Sequence, residues 1–192
     1  MPIAILVQVW CYTLSFVVDV VGTCFLRLGG GYMSKEKTLK TNAMRMLDAA
    51  KIPHTVRTYD TDGSHTGVQI AEMLGLEKES VFKTLVTRGK SGEYYVFMIP
   101  VAEELDLKKA AAAVGEKAVS MIKSKELLPL TGYIHGGCSP LGMKKQFVTC
   151  IDETAELFDR INYSGGHIGC QVETSLEDLE RLIPVIHADL TV

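Results

Sequence analysis

The stretch VFKTLVTRGKSGEYYVFMI, residues 81–99, decides how the rest of the chain is interpreted. Apolar and β-branched residues run up to a turn at Gly89–Gly92 and resume at Tyr94–Ile99, which is typical of a β-hairpin. Lys83 lies inside the first strand, and the alternation of side chains places it on the same side as Leu85. An ammonium there would bind a phosphate or polarise a carbonyl oxygen. The competing interpretation is an edge-strand lysine that keeps its charge in water and discourages aggregation.

Helical and strand patterns are interspersed on both sides of this hairpin. The mixture predicts an α/β or α+β class with a mixed sheet and disfavours a Rossmann fold. No repeat, low-complexity tract or Pro/Ser-rich linker follows Met33, so we expect one domain over residues 33–192. The predicted helices are Leu39–Ala50, Val68–Leu74, Leu107–Val114, Ser124–Leu128 and Leu176–Leu182, with a helical turn at Thr154–Phe158. Besides the two strands of the hairpin, the predicted strands are His54–Tyr59, Ala118–Ile122, Phe147–Ile151, Ile161–Tyr163, Ile168–Val172 and Val185–Ala188.

The composition limits the class of protein. The chain has 192 residues, with 20 basic and 23 acidic side chains and a net charge of −3. This excludes a disordered chain, collagen, a coiled coil and a strongly basic nucleic-acid binder, although a local basic groove stays compatible with it. Five cysteines, an odd number without a C-x-x-C pair, indicate reduced thiols. The five histidines lack metal-ligand spacing, so we expect no metal and no cofactor.

Residues 1–32 differ from everything that follows. Between Ile3 and Leu26 the only charge is Asp19. We favour a mis-assigned translation start, with Met33 as the true first residue. A membrane anchor competes with it, since about 20 apolar residues span a bilayer. A signal peptide is disfavoured because no Lys or Arg precedes the apolar run and no cleavage site follows it.

Two glycine-rich loops, Thr131–Gly142 and Ser164–Gly166, are candidate sites. Glycines let backbone N–H groups approach an anion or a developing oxyanion. Neither loop is a Walker A motif or a G-x-G-x-x-G, so nucleotide hydrolysis and dinucleotide binding are disfavoured. His135 and Cys138 lie three residues apart and suggest a nucleophilic pair. Against that, such pairs assemble in space rather than in sequence, and a free cysteine is more often a buried apolar residue.

Four motifs carry a resemblance to a known family. They are Val81-Phe82-Lys83-Thr84-Leu85; Pro100-Val101 with Leu105-Asp106-Leu107-Lys108-Lys109; Gly132-Tyr133 followed by Gly136-Gly137-Cys138-Ser139-Pro140-Leu141-Gly142; and Ser164-Gly165-Gly166 with Gly169. In this order they resemble the YbaK family of bacterial Cys-tRNA(Pro) deacylases, related to the editing domain inserted in prolyl-tRNA synthetases. The resemblance covers about Thr38 to Leu190.

The resemblance implies a single YbaK-like domain with a mixed, barrel-like sheet and surrounding helices. It implies a cytoplasmic enzyme that binds the acceptor end of an aminoacyl-tRNA and removes cysteine from Cys-tRNA(Pro), with Cys-tRNA(Cys) as a further candidate substrate. Prolyl-tRNA synthetase is the implied partner, without a metal or a membrane. The substrate's own thiol would attack its ester carbonyl, so the protein need only hold the ester and stabilise charge.

The resemblance also assigns roles to individual residues. Lys83 matches the central lysine, expected to contact the terminal adenosine or its phosphate, and Gly136 matches the glycine whose backbone positions the aminoacyl group. Gln171 falls where some members carry Asp, and a neutral amide could bind a substrate amine only through its carbonyl. The expected catalytic residues are Lys83 and Gly136, and the expected substrate-binding residues are Tyr59, Gly137, Ser139, Ser164, Gly165 and Gln171.

Three alternatives stay open at this point. An enzyme of the same fold could instead act on Ala-tRNA(Pro). A non-catalytic module could bind tRNA or a synthetase and regulate another process. A variant of the enzyme could be tethered to a membrane by residues 1–32.

Overall fold

The computed structural model describes residues 40–61 and 63–192. The apolar segment 1–32, and with it the choice between a mis-assigned start and an anchor, lies outside the described residues. Within those ranges, no helix is long and apolar enough to cross a membrane.

Eight strands and five α-helices are interspersed along the described part of the chain. The strands are β1 (Thr55–Thr58), β2 (Phe82–Gly89), β3 (Tyr94–Pro100), β4 (Val119–Met121), β5 (Val148–Asp152), β6 (Ile161–Ser164), β7 (Cys170–Thr174) and β8 (Val185–Ala188). The helices are α1 (Asn42–Ala49), α2 (Gly67–Leu74), α3 (Leu107–Ala113), α4 (Ser124–Thr131) and α5 (Leu176–Glu180), with 3-10 turns at Lys78–Ser80 and Glu153–Leu157.

The expected hairpin forms the centre of a five-stranded sheet. The strand order is β4-β2-β3-β5-β8. β2 pairs antiparallel with β3 and β4, whereas β3 with β5 and β5 with β8 are parallel. The sheet is therefore mixed, which confirms the predicted α+β class.

A second sheet has three antiparallel strands in the order β1-β7-β6. It joins the first sheet through a parallel bridge between Val81, which precedes β2, and Asn162 of β6. The barrel-like closure implied by the resemblance is not formed by the described strands, because β6 meets β2 at this bridge and the two strands do not continue as a ladder.

The main core lies where the two sheets face α1 and α5. Leu47 of α1, Phe82 and Met98 of the larger sheet, and Tyr163 and Val172 of the smaller one belong to one buried cluster. Burying side chains of this size contributes about 1.5–3 kcal/mol each. This cluster therefore holds the two sheets together.

Most element boundaries lie one to three residues from the predicted ones, and hydrogen bonds account for two of these differences. α4 continues past Leu128 through Pro129, because Thr131 Oγ1 donates to Leu127 O at 2.8 Å and Gly132 N donates to Leu128 O at 2.9 Å. β7 begins at Cys170 rather than Ile168, since the residues before it form a turn closed by Cys170 N donating to His167 O.

Candidate active site

A cleft of about 260 Å³ opens beside β2. Its walls combine residues 82–85 of β2, the start of α2, the glycine-rich loop after α4, and facing positions on β6 and β7. The cleft brings together five of the eight residues expected from the sequence: Tyr59, Lys83, Gly136, Ser164 and Gln171.

Lys83 reaches the cleft from the second position of β2. Its Nζ donates to the carbonyl oxygen of Val101 at 3.2 Å. Burial lowers the pKa of Lys83, while the carboxylates of Glu104 and Glu103 favour the charged form. The side chain is half-buried against the cleft rather than free in solvent, which favours the functional interpretation over the edge-strand one.

Gln171 offers a buried acceptor to the cleft. It is 6% exposed, and its Oε1 has no hydrogen-bond partner in residues 40–61 and 63–192. Thr84 is similar, because its Oγ1 is buried and has no partner in the part of the chain that the structure describes. A buried polar atom without a partner costs about 1–3 kcal/mol, so two of them in one cleft indicate a place where a ligand supplies the partners.

The remaining expected cleft residues are held by backbone geometry. Tyr59 N donates to Gly169 O at 3.0 Å, and burial raises the pKa of the Tyr59 hydroxyl. Gly136 has φ +80°, a left-handed conformation that side chains other than glycine rarely adopt. Ser164 pairs in register with Gln171, and its Oγ accepts from Gly166 N at 3.2 Å.

Three expected residues do not line the cleft. Ser139 is fully buried, and its Oγ accepts from Leu141 N at 3.4 Å. A Cβ on Gly165 would come within 2.6 Å of Cys170 Sγ, and one on Gly137 would come within 3.0 Å of Ile168 N. In the structure these three residues pack the loops behind the cleft, and their role in binding stays a prediction.

The thiols at the cleft are protonated at neutral pH. Burial raises the pKa of Cys138 to about 12 and that of Cys170 to about 11. Cys138 packs in a buried cluster with Val86, Val96 and Tyr133. The geometry therefore favours the buried apolar interpretation of Cys138 over a nucleophile paired with His135.

Sequence reasoning did not assign Thr84 or His65 to the site, and it considered His135 only as a partner of Cys138. Thr84, His65 and His135 all line the cleft, although the histidines are 70 residues apart in the chain. His65 Nδ1 lies 2.9 Å from Thr61 Oγ1. No spacing pattern signals such positions, because the fold alone brings them together.

An ion-pair cluster lies beside the cleft on the same small sheet. Arg57 is directly opposite Gln171 across β1 and β7, yet its guanidinium pairs with Glu173. Arg160 Nε donates to Glu173 Oε1 at 2.8 Å. Burial disfavours the charged carboxylate, but the hydrogen bonds from Arg57 and Arg160 outweigh it and lower the pKa of Glu173.

Residues 61–182 match the family model described as the aminoacyl-tRNA editing domain. The chain belongs to this family. Membership confirms the fold and the aminoacyl-tRNA deacylase activity that the sequence predicted.

Relatives of this editing-domain protein carry related names. EbsC of Enterococcus faecalis, named as a proposed Cys-tRNA(Pro)/Cys-tRNA(Cys) deacylase, is 45% identical over 161 residues, which are 83% of this chain and 98% of EbsC. A proline–tRNA ligase of Thermosipho africanus is 29% identical over 91 residues, which are 47% of this chain and 16% of the ligase. A crystal structure described as a proposed trans-editing enzyme for prolyl-tRNA synthetase has a TM-score of 0.68 at 24% identity, over 81% of this chain and 99% of that one, and supports the fold.

Proposed function

We propose that this editing deacylase removes cysteine from Cys-tRNA(Pro), and also from Cys-tRNA(Cys), and that the substrate's thiol performs the cleavage. The cysteinyl sulfur attacks the ester carbonyl carbon, a C–S bond forms, and the bond to the ribose oxygen breaks. The thiol proton passes to that oxygen, which leaves free tRNA and a cyclic thiolactone. The reaction needs no nucleophile from the protein.

One observation carries this mechanism: Lys83 and Gly136 line the cleft, while the thiols of Cys138 and Cys170 that also line it are kept protonated. A thiol with a pKa of about 12 or 11 is almost entirely uncharged at neutral pH and is a poor nucleophile. Lys83 and Gly136 both line the cleft, and in this proposal the ammonium and the Gly136 backbone hold the ester and stabilise negative charge on its oxygens.

The name of EbsC supports the choice of cysteine, and the proline–tRNA ligases among the relatives support tRNA(Pro) and an association with prolyl-tRNA synthetase. Both substrates are cytoplasmic, so we place the protein in the cytoplasm as part of this proposal. Tyr59, Ser164 and Gln171 bind the aminoacyl and ribose groups in this scheme.

The test is deacylation of purified charged tRNAs by the full chain. We expect turnover of Cys-tRNA(Pro) and Cys-tRNA(Cys), and none of Ser-tRNA(Pro), in which OH replaces SH. Equal turnover of the seryl ester would overturn self-cleavage and indicate that water attacks, with His65 or His135 as candidate bases. Turnover of Ala-tRNA(Pro) alone would establish the alternative substrate, and binding without turnover of any charged tRNA would favour a regulatory module.

A second measurement separates the protein's thiol from the substrate's. Cys138→Ala is expected to retain deacylation, because the buried thiol takes no part in the cleavage. Loss of turnover in a variant that keeps its fold, as judged by circular dichroism, would restore the enzyme-thiol mechanism.

A further inference from the structure

The backbone of β2 directs its odd-numbered residues toward β3. Val101 N donates to Val81 O at 2.8 Å, and Gly89 N donates to Glu93 O at 2.8 Å, so these pairs are the hydrogen-bonded ones of the antiparallel ladder. Because such pairs alternate along a strand, the N–H and C=O of Thr84 point to the opposite edge.

The edge of β2 that faces away from β3 has backbone partners at both ends but not in the middle. At one end Val81 forms its bridge with Asn162 of β6. At the other end β4 pairs with Thr87–Gly89, and Ile122 N donates to Val86 O at 3.3 Å. Between them, no described strand pairs with the backbone of Thr84.

The uncovered stretch lies inside the cleft. Residues 82–85 all line it, so the open N–H and C=O of Thr84 face the space where a substrate would bind. Backbone groups withdrawn from bulk water are almost always paired, and an open strand edge is a ready template for another extended segment.

We propose that Thr84 pairs with the aminoacyl group of the substrate as if that group were one residue of an added strand. The α-amino group donates to the C=O of Thr84, and the N–H of Thr84 donates to the ester carbonyl oxygen. An aminoacyl ester carries a donor and an acceptor on either side of one Cα, as a strand residue does, and the gap offers one residue to pair with it. This inference rests on the proposed deacylase function.

In this proposal, binding of the aminoacyl ester and selection of cysteine depend on different groups in the cleft. Main-chain pairing is independent of the side chain, so Thr84 would hold any aminoacyl ester, and selection of cysteine falls to the reacting thiol. The N–H of Thr84 meets the oxygen on which negative charge develops during attack. A further hydrogen of the α-ammonium is left for the buried Oε1 of Gln171.

Amide hydrogen exchange measured by NMR on the full chain tests this pairing. The probe is 3′-deoxy-3′-(cysteinylamino)adenosine, whose amide resists cleavage. In the free protein, the Thr84 amide should exchange faster than those of Lys83 and Leu85, which face β3. Saturation with the probe should slow exchange of Thr84 by about tenfold or more and leave its two neighbours nearly unchanged.

A matched probe with a 3-mercaptopropionyl group lacks the α-amino nitrogen. It should still protect the Thr84 amide at saturation but bind about tenfold more weakly, because the hydrogen bonds of a charged donor are lost. Equal affinity of the two probes would overturn the role given to the Thr84 carbonyl.

Two results would overturn the inference as a whole: unchanged Thr84 exchange while Gly136 and Ser164 shift with the probe, or no binding at millimolar probe. If Cys-tRNA(Pro) is nevertheless deacylated, the proposed function stands and strand pairing fails. If no charged tRNA is deacylated but the probe protects Thr84, the edge subsite stands and the proposed function fails.

Discussion

Glu173 and Gln171 lie two residues apart on the same face of β7, and their polar atoms have opposite surroundings. The carboxylate of Glu173 accepts from Arg57, Arg160 and Thr55. The side chain of Gln171 is more deeply buried, and its Oε1 has no hydrogen-bond partner in the described ranges. The difference suggests that the strand is anchored at one position and keeps binding capacity at the other, where it borders the cleft.

The largest expected effect is on the cleft side. Lys83→Met should lower kcat/KM for Cys-tRNA(Pro) by about a hundredfold or more, because a charge-stabilising group in the cleft is lost. The free energy of unfolding of the variant should not fall, because burial disfavours the ammonium that the substitution removes. Lys90→Met, at the exposed hairpin turn, is the matched control and should behave as wild type; a similar loss there would point to non-specific charge effects.

The second-largest effect is expected at Glu173, the residue that anchors β7 through its ion pairs. Glu173→Gln should lower the free energy of unfolding by about 2 kcal/mol, because two arginines lose a buried carboxylate. Deacylation should persist in the folded variant. Denaturant unfolding measures the free energy of unfolding, and a charged-tRNA assay measures deacylation. A variant with wild-type stability but no activity would place Glu173 in the site.

The same variant has a pH signature. The folded-state pKa of Glu173 lies below its ordinary value of 4.5, so its contribution to stability is complete above that value. It is lost as pH falls through the lowered pKa of the folded state. The stability gap between wild type and Glu173→Gln should therefore be constant from pH 6 to about 5 and narrow below about 4.5. A gap that is unchanged by acid would show that the ion pairs contribute nothing.

Gln171→Met should have a smaller effect than Glu173→Gln, and it should lower activity rather than stability. It removes the unpartnered acceptor while keeping a similar volume, so kcat/KM should fall by about tenfold, with stability unchanged or slightly raised. Gln171→Asp tests the charge directly, since Arg57 lies opposite and would compete with the substrate amine for the carboxylate. Full activity of Gln171→Met would remove this residue from the site.

The smallest expected effect compares two threonines of β2. Thr84 Oγ1 and Thr87 Oγ1 are both buried without partners among the described residues, but only Thr84 lines the cleft. Thr87→Val should raise the free energy of unfolding by about 1 kcal/mol and leave kcat/KM unchanged. Thr84→Val should give a similar gain and a several-fold loss of kcat/KM, and identical kinetics for the two variants would argue against a polar contact at Thr84.

Local sequence patterns predicted most helices and strands, but they did not predict which strands far apart in the sequence pair with each other. The hairpin at 81–99 follows from β-branched residues around a glycine-rich turn, and α2 from the helical pattern over Val68–Leu74. The place of Gln171 opposite Arg57, and the open edge at Thr84, depend on register between strands that are far apart in sequence. Strand alternation alone makes Lys83 a candidate, whereas the roles expected of Lys83 and Gly136 come from the family resemblance, because an isolated lysine or glycine carries no spacing signal.

The pairing of β1 with β7 has a consequence for the order in which the protein is made. Thr55 and Glu173 are 118 positions apart, and the wall formed by β7 cannot assemble until both strands have left the ribosome. A nascent chain that has emerged only through β5 already contains Lys83 but lacks Ser164 and Gln171. Editing capacity therefore arises late in synthesis, when nearly the whole domain can fold at once.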